Sequence, residues 1–418
     1  MITELRLIHW KSFDDATLYV DRVTVLIGTN ASGKSNALDA LLFLKRISDG
    51  LSLTGALQGE QSLPAMRGGL EWVCLNKGRT FTLEVRVEGE DRRTEYVYRL
   101  RCIVQDNRCD LASESLQRLR YRTVKRSREA KPYSIFLFQT DPCADDAASI
   151  AARLYNEKRG TPRPSLRSVS VLRQLSQQQM RKEIEAGVQE VVRAFQGIFV
   201  LDPIPAHMRQ YSPMSDELEP DASNIAGVIA ALAPERQQRL EALLSTYGSR
   251  LPERDIRRIY AESVGKFQTD AMLYCDEQWG AGDEVTSVDA RGMSDGTLRF
   301  LAILTALQTR PEGSLLVVEE VDNGLHPSRV GLLLEMLTKI GEARGVDVLV
   351  TTHNPAFLDA AGPEMVPFIT VSHRDPKTGH SRLTLLEEIA QLPKLLASGP
   401  VGTLSSAGRI EKALAVQE

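Results

Sequence analysis

The chain has 418 residues, 42% of them apolar and 25% charged, with a net charge of −4 and a pI near 6.0. That length is more than one hydrophobic core usually organises, so roughly two or three lobes are expected, and the slightly acidic balance excludes a protein that is basic throughout, leaving nucleic acid only a local patch to meet. Five scattered cysteines (Cys74, Cys102, Cys109, Cys143 and Cys275) with no Cys-x-x-Cys pair argue against a disulfide framework or a structural zinc site, and with no basic-then-apolar leader and no apolar run near the ~20 residues that span a bilayer, a reducing, cytoplasmic setting without membrane contact is expected.

In chain order, residues 2–8 alternate apolar and polar and predict a strand. Residues 22–27 are rich in β-branched residues and run straight into glycine, which predicts a buried strand. From Ser35 to about Ile47, the positions Leu38, Leu41, Leu42 and Leu44 form a helical stripe. Residues 80–87 and 95–104 predict a hairpin around the turn Gly89-Glu90-Asp91. Residues 116–131 gather Arg118, Arg120, Arg122, Lys125, Arg126, Arg128 and Lys131 against Glu129 alone, with Tyr121 interleaved. Residues 135–260 predict mostly helix, strongest over about 170–196 and 223–247, with proline breaks at 161–164 and around Pro203, Pro205 and Pro213. An α/β pattern resumes near 263 and runs to about 373. The tail opens on the polar turn Asp375-Pro376-Lys377-Thr378-Gly379 and ends in a short helix. The expected division is an N-terminal lobe (1–135), a helical insert (136–262), a C-terminal lobe (263–373) and a tail (374–418).

Gly28-Thr29-Asn30-Ala31-Ser32-Gly33-Lys34-Ser35 fits G-x-x-x-x-G-K-[ST] between a predicted strand and a predicted helix, the context that confirms a phosphate loop. Glycines let the backbone wrap so that successive N–H groups face phosphate oxygens, and the helix N-terminus adds positive potential. The cofactor-binding set is therefore Gly28, Asn30, Ala31, Ser32, Gly33, Lys34, Ser35 and Asn36. Lys34 is expected to reach the β and γ phosphates of ATP, and the Ser35 hydroxyl to bind Mg²⁺. The loop by itself does not choose adenine over guanine.

Leu315-Leu316-Val317-Val318-Glu319-Glu320 is an apolar strand ending in two carboxylates. Successive residues face opposite sides, so Glu319 is assigned to the metal and Glu320 to the attacking water. A second apolar strand, 346–352, delivers His353, an imidazole within reach of a γ-phosphate or of the water. Met293-Ser294-Asp295-Gly296 precedes another predicted helix, whose N-terminus is a natural anion site at Ser294 and Gly296. One chain then carries two anion sites, which makes sense if the second serves the ATP of a partner copy.

Phosphate loop, Ser-x-Gly signature, acidic strand and Thr-His element together resemble the ABC-type ATPases, and more narrowly their RecF, SMC and OLD branch. Trp10-Lys11-Ser12-Phe13, Asp221-Ala222-Ser223-Asn224-Ile225-Ala226 and Glu319-Glu320-Val321-Asp322-Asn323-Gly324-Leu325-His326-Pro327 are similar to motifs of that branch. The resemblance covers about residues 1–100 and 285–360 and is thin across 105–260. It implies an α/β fold, an ABC-type head with a mixed sheet, phosphate-loop core and antiparallel β lobe, carrying an inserted helical region. It also implies that Ser294 and Gly296 contact a γ-phosphate held by the other subunit of a head-to-tail homodimer, that Glu320 is the catalytic base and that His353 is the switch residue. Glu319 stands where ABC proteins commonly have Asp, and Asp295 where transporters have glycine. For the Q-loop glutamine, Gln58 and Gln139 are candidates and neither is chosen.

The basic segment 118–131 has the composition that attracts phosphate backbones, and it is equally compatible with a solvated charged face. The helical region is too short for a long coiled coil and shows no sustained heptads. No His-Asn-His pattern or Toprim-sized C-terminal domain is present. The tail reads either as a docking peptide or as a helix closing the domain. Three functions are weighed: an ATP-hydrolysing switch working with a separate effector, as in bacterial anti-phage systems; a DNA repair or recombination mediator; and an ATP-gated assembly module with little hydrolysis.

Overall fold

The computed structural model describes residues 1–60, 63–91, 93–121, 132–156, 159–250, 256–278 and 284–417. Five parallel strands lie side by side in the order Ile198–Leu201, Leu315–Val318, Asp347–Thr352, Val23–Ile27 and Ile369–Arg374. Parallel strands need cover on both faces, and their sequences are accordingly rich in Val, Ile and Leu. Side-chain alternation sends Val23, Val25 and Ile27 into one apolar core and Leu26 into another. It does the same with Leu316 and Val318 against Leu315 and Val317.

The sheet does not stop there. Ser381–Leu385 pairs antiparallel with Ile369–Arg374 and meets Phe13–Tyr19 at the Ser381–Phe13 pair. Antiparallel strands then follow in the order Phe13–Tyr19, Ile2–Trp10, Thr80–Glu88, Thr94–Gln105, Arg108–Tyr121, Pro132–Thr140, Ser149–Asn156 and Arg159–Leu166. The predicted hairpin is Thr80–Glu88 with Thr94–Gln105, Val87 opposite Tyr96. Phosphate-loop core and β lobe are thus parts of one 14-stranded sheet.

Helix Lys34–Asp49 covers one face together with Val171–Ser176 and Lys182–Gln196, and Asp295–Thr309 and Val330–Arg344 cover the other. Trp10, Phe43 and Phe81 form an aromatic triangle with centroids 5.0–5.8 Å apart. Such pairs add about 0.5–1.5 kcal/mol each beyond area burial. The triangle, with the Trp10 Nε1–H donating to Asn36 O at 2.7 Å, fastens the first hairpin to the helix that starts at Lys34.

The expectation of helix across 135–260 holds for Lys182–Gln196 and Pro234–Gly248 but not for the first part of that range, nor for Ile198–Leu201, which is a strand of the parallel sheet, nor for Ile256–Val264. Residues 132–166 are three strands that extend the β lobe. Pro162 and Pro164, expected to break the chain there, lie in Arg159–Leu166, which is the last strand of the sheet. An edge strand tolerates proline because one side of its backbone has no ladder to join.

Ser212–Pro213, Ile256–Val264, Asp270–Gln278 and Val285–Asp289 form a separate four-stranded sheet that leads into the signature turn. The tail ends in helices Leu392–Leu396, Val401–Ser406 and Arg409–Gln417. Val401, Leu404, Ile410 and Leu414 join the apolar core, and the Gly402 N–H donates to Asp359 Oδ1 at 2.6 Å. Of the two readings of the tail, domain closure is the one its packing follows. Among the described residues no helix is long and apolar enough to cross a membrane.

Candidate functional site

Strand Val23–Ile27 runs into Gly28, where φ is +145° and an added Cβ would lie 2.1 Å from Ser372 O. Only glycine fits such an approach, which lets the loop turn tightly over the sheet edge. Helix Lys34–Asp49 starts after Gly33 with no side chain capping it. Its first N–H groups are thus left for an anion, as a phosphate loop requires. The Ser32 hydroxyl is buried in the loop with no hydrogen-bond partner, and the Lys34 ammonium donates to Gly28 O at 2.6 Å and Thr29 O at 3.1 Å. Burial lowers the Lys34 pKa, against the pull of Glu320 and Glu319. Asn30 is exposed, while the Ala31 carbonyl accepts from Arg374 Nε at 2.9 Å. The Asn36 amide donates to Ser12 Oγ at 2.8 Å, on the aromatic-Lys-Ser-Phe stretch.

Leu315–Val318 and Asp347–Thr352 are neighbours in register, so their C-terminal ends deliver Glu319, Glu320 and His353 to one edge. The Ser35 hydroxyl donates to Glu319 Oε1. One hydroxyl beside one carboxylate suits Mg²⁺, which keeps several waters and takes few protein ligands when phosphates complete its shell. With the orphaned Ser32 hydroxyl and the uncapped helix, these residues fit a Mg²⁺–triphosphate. Glu320 has φ +49°, the left-handed region. Such a conformation costs a non-glycine residue about 1–3 kcal/mol and is found where a site over-determines it. Here the Glu320 N–H donates to Thr351 Oγ1 at 2.8 Å, and the Asn323 amide reaches Glu320 Oε2 at 3.4 Å. His353 Nδ1 lies 3.7 Å from Glu320 Oε1.

The Ser294 hydroxyl caps helix Asp295–Thr309 by accepting from Thr297 N at 3.1 Å. Arg209 donates to Met293 O at 2.9 Å and to Asp295 Oδ1 at 2.6 Å, so the unusual acid of the signature has its own counter-ion. Gly296 packs so closely that a Cβ would lie 2.7 Å from Gly324 O and 2.9 Å from the Arg329 guanidinium. Among the described residues, no hydrogen bond or ion pair joins 293–297 to 28–36. The cradle and the acidic strand end come together in one chain, and the signature turn makes its contacts elsewhere.

Two residues that touch the candidate site or support it, Arg67 and Asp39, escaped sequence reasoning. Arg67 donates from NH1 to both Glu319 oxygens at 3.0 and 3.1 Å, from NH2 to Ser35 O at 3.2 Å, and from Nε and NH2 to Asp39. Asp39, on the phosphate-loop helix, is buried and also meets Lys11 Nζ at 2.5 Å. A lone arginine before Gly68-Gly69 carries no signal of a partner 252 residues away. Of the two glutamines, Gln58 is the exposed last residue of helix Leu53–Gln58 and Gln139 lies on the β lobe opposite Ser115, and among the described residues neither bonds to the cradle. Arg118 and Arg120 lie on strand Arg108–Tyr121, Arg118 3.5 Å from Glu183, and the Tyr121 hydroxyl donates to Glu95. Arg122, Lys125, Arg126, Arg128 and Lys131 lie outside the described residues.

A phosphate loop, a hydroxyl–carboxylate pair, a second acid beside a histidine and a serine-capped signature helix, all on one mixed sheet, define an ATPase head of the ABC type in its SMC- and RecF-like branch. The chain belongs to the family described as AAA domain, putative AbiEii toxin, type IV TA system, which matches residues 23–359. No curated protein matches the sequence. Among solved structures the fold is similar to an SMC head bound to the C-winged-helix domain of ScpA, at 15% identity, covering 92% of this chain and 96% of that one with a TM-score of 0.50. It is also similar to a Pyrococcus furiosus Smc head with an extended coiled coil bound to the C-terminal domain of ScpA (14% identity, 95% and 99% covered, TM-score 0.48) and to the Thermotoga maritima SMC head (14%, 92% and 98%, TM-score 0.42).

Proposed function

We propose that the protein binds and hydrolyses ATP with Mg²⁺ and uses the nucleotide to join two copies head to tail. The observation that supports this most is the separation of the two anion-binding elements. Lys34, Ser35, Glu319, Glu320 and His353 share one sheet edge, while the Ser294–Gly296 turn packs on Gly324 and Arg329 without bonding to residues 28–36. A γ-phosphate can be gripped from both sides only if a second copy supplies its signature turn. Lys34 would neutralise the β and γ phosphates, Ser35 and Glu319 would hold Mg²⁺, Glu320 would take the proton of the attacking water and His353 would orient it. The bound metal would offset charge on the β and γ oxygens.

The biological role proposed is that of sensor and scaffold for a separate effector in a bacterial anti-phage system. The family description names a putative toxin of a type IV toxin–antitoxin system, and a similar SMC head was solved with a bound ScpA domain, so a head of this fold accepts a protein partner. A role as a DNA repair or recombination mediator would rest on the basic segment 118–131, in whose described part Arg118 is paired with Glu183. The test is light scattering of Glu320→Gln with Mg²⁺–ATP. The expected product is an ATP-bound dimer; a monomer at saturating ATP would reject the composite site.

A further inference from the structure

Arg67 makes two contacts of opposite character. On its inner side its guanidinium holds Asp39, which is 3% exposed and is bonded from behind by Lys11 Nζ at 2.5 Å. On its outer side it spans both oxygens of Glu319, the carboxylate assigned to Mg²⁺, and reaches Ser35 O, the backbone of the other assigned ligand. Asp202, just past the neighbouring strand Ile198–Leu201, feels both Glu319 and Arg67. Burial opposes the Arg67 charge, but Asp39 and Glu319 outweigh it and raise its pKa. A guanidinium stays charged at any ordinary pH, so Arg67 is a permanent cation at the acidic strand end.

We infer that Arg67 is a positioning residue that stands in for the metal: it holds Glu319 against Ser35 before Mg²⁺ arrives and must release Glu319 when Mg²⁺–ATP enters. The inference rests on the reading of Glu319 and Ser35 as the metal site. The release is made cheap by the way the contact is built. Asp39 keeps Lys11 when Arg67 moves, so no buried carboxylate is left unpaired, the situation that would cost several kcal/mol. The Arg67–Glu319 pair is half-exposed, at 52% and 25% of the side chains, where charge pairs are weak enough to exchange. Gly68 and Gly69 follow at once with φ of +80° and +49°, giving the backbone a pivot directly behind the arginine.

The consequence is competition between an arginine and a metal ion for one carboxylate. Half-saturating Mg²⁺ for binding of a fluorescent ATP analogue, measured on the full chain, should fall about two- to fivefold in Arg67→Gln, the range a half-exposed charge pair can supply. Arg67→Lys, which keeps the charge and loses the fork, should fall between the two. Thermal melts give a readout independent of turnover. The Arg67→Gln deficit should be largest in EDTA and should shrink in Mg²⁺–ATP, because the contact it removes is already broken there. An equal deficit in both conditions, or a Mg²⁺ requirement that is unchanged or higher in both variants, overturns the inference. Failure of the wild type to bind the analogue at any Mg²⁺ concentration would instead overturn the reading of the site itself.

Discussion

The imidazole of His353 stands 3.7 Å from the carboxylate of Glu320, although 33 positions separate them in the sequence. Parallel pairing of Leu315–Val318 with Asp347–Thr352 brings them together, and Thr351 ties the two strand ends by accepting the Glu320 N–H. Removing the imidazole should therefore affect the chemical step more than binding. His353→Ala is expected to keep ATP affinity within a few-fold while turnover falls about 10²-fold or more, in the range set by removal of a positioned acid–base partner. Phosphate-release kinetics beside a binding isotherm check this; equal losses in both would place His353 in ground-state binding.

Lys34 donates to the carbonyls of Gly28 and Thr29 and is partly desolvated, so it is held inside the loop it serves. Lys34→Ala should weaken ATP binding by about 100-fold or more, the scale of a charge-assisted hydrogen bond to phosphate. Isothermal titration reads this directly, and circular dichroism should stay unchanged because alanine suits the first turn of a helix.

The signature turn leaves no room for a methyl group at Gly296, whose neighbours are the backbone of Gly324 and the buried Arg329. Gly296→Ala should displace the turn from the segment after Glu320. Nucleotide binding to the monomer should survive while ATP-dependent dimerisation of the Glu320→Gln background disappears. A double variant that still dimerises on ATP would show that this turn is not part of the joint.

Asp347 opens the central strand with its carboxyl buried, and burial pushes its pKa up to about 6 from 3.8. The folded chain thus keeps a proton there, between about pH 4 and 6, that the unfolded chain has released. The sign follows: stability falls as pH rises through this window, and the full penalty stands above pH 6. Two pKa units correspond to at most about 3 kcal/mol, less where solvent screens the group. Asp347→Asn should raise the melting temperature at pH 7.5, and the gain should fade toward pH 4.

If the basic segment meets DNA, replacing Arg120, Arg122, Arg126 and Arg128 together should weaken binding and flatten its salt dependence, by up to about 0.9 for each phosphate no longer neutralised. Anisotropy at two salt concentrations decides. Unchanged affinity removes the segment from any role in nucleic-acid binding.

The cradle was legible because its residues are contiguous and lie between two strongly patterned elements, and Glu319, Glu320 and His353 because each ends an apolar strand. Strands Pro132–Thr140, Ser149–Asn156 and Arg159–Leu166 were not legible: polar residues and prolines obscure their alternation, and their stability comes from strands already laid down beside them. Arg67 was not legible for a different reason. Its meaning depends on Asp39 and Glu319, and no local pattern announces a partner brought close by the fold. The same holds for Arg209, whose value appears only once Asp295 is seen against it.

Strand Val23–Ile27 has as its two neighbours Asp347–Thr352 and Ile369–Arg374, the nearer of which starts 320 residues further along the chain (347 − 27). At about 5–20 residues per second, it waits on the order of 15–60 s with both backbone edges unpaired. The nascent chain thus carries an apolar strand whose backbone edges stay without partners until those two strands emerge. Fragments ending before residue 369 should collect as insoluble material, and the growing chain is an obvious client for a holding chaperone.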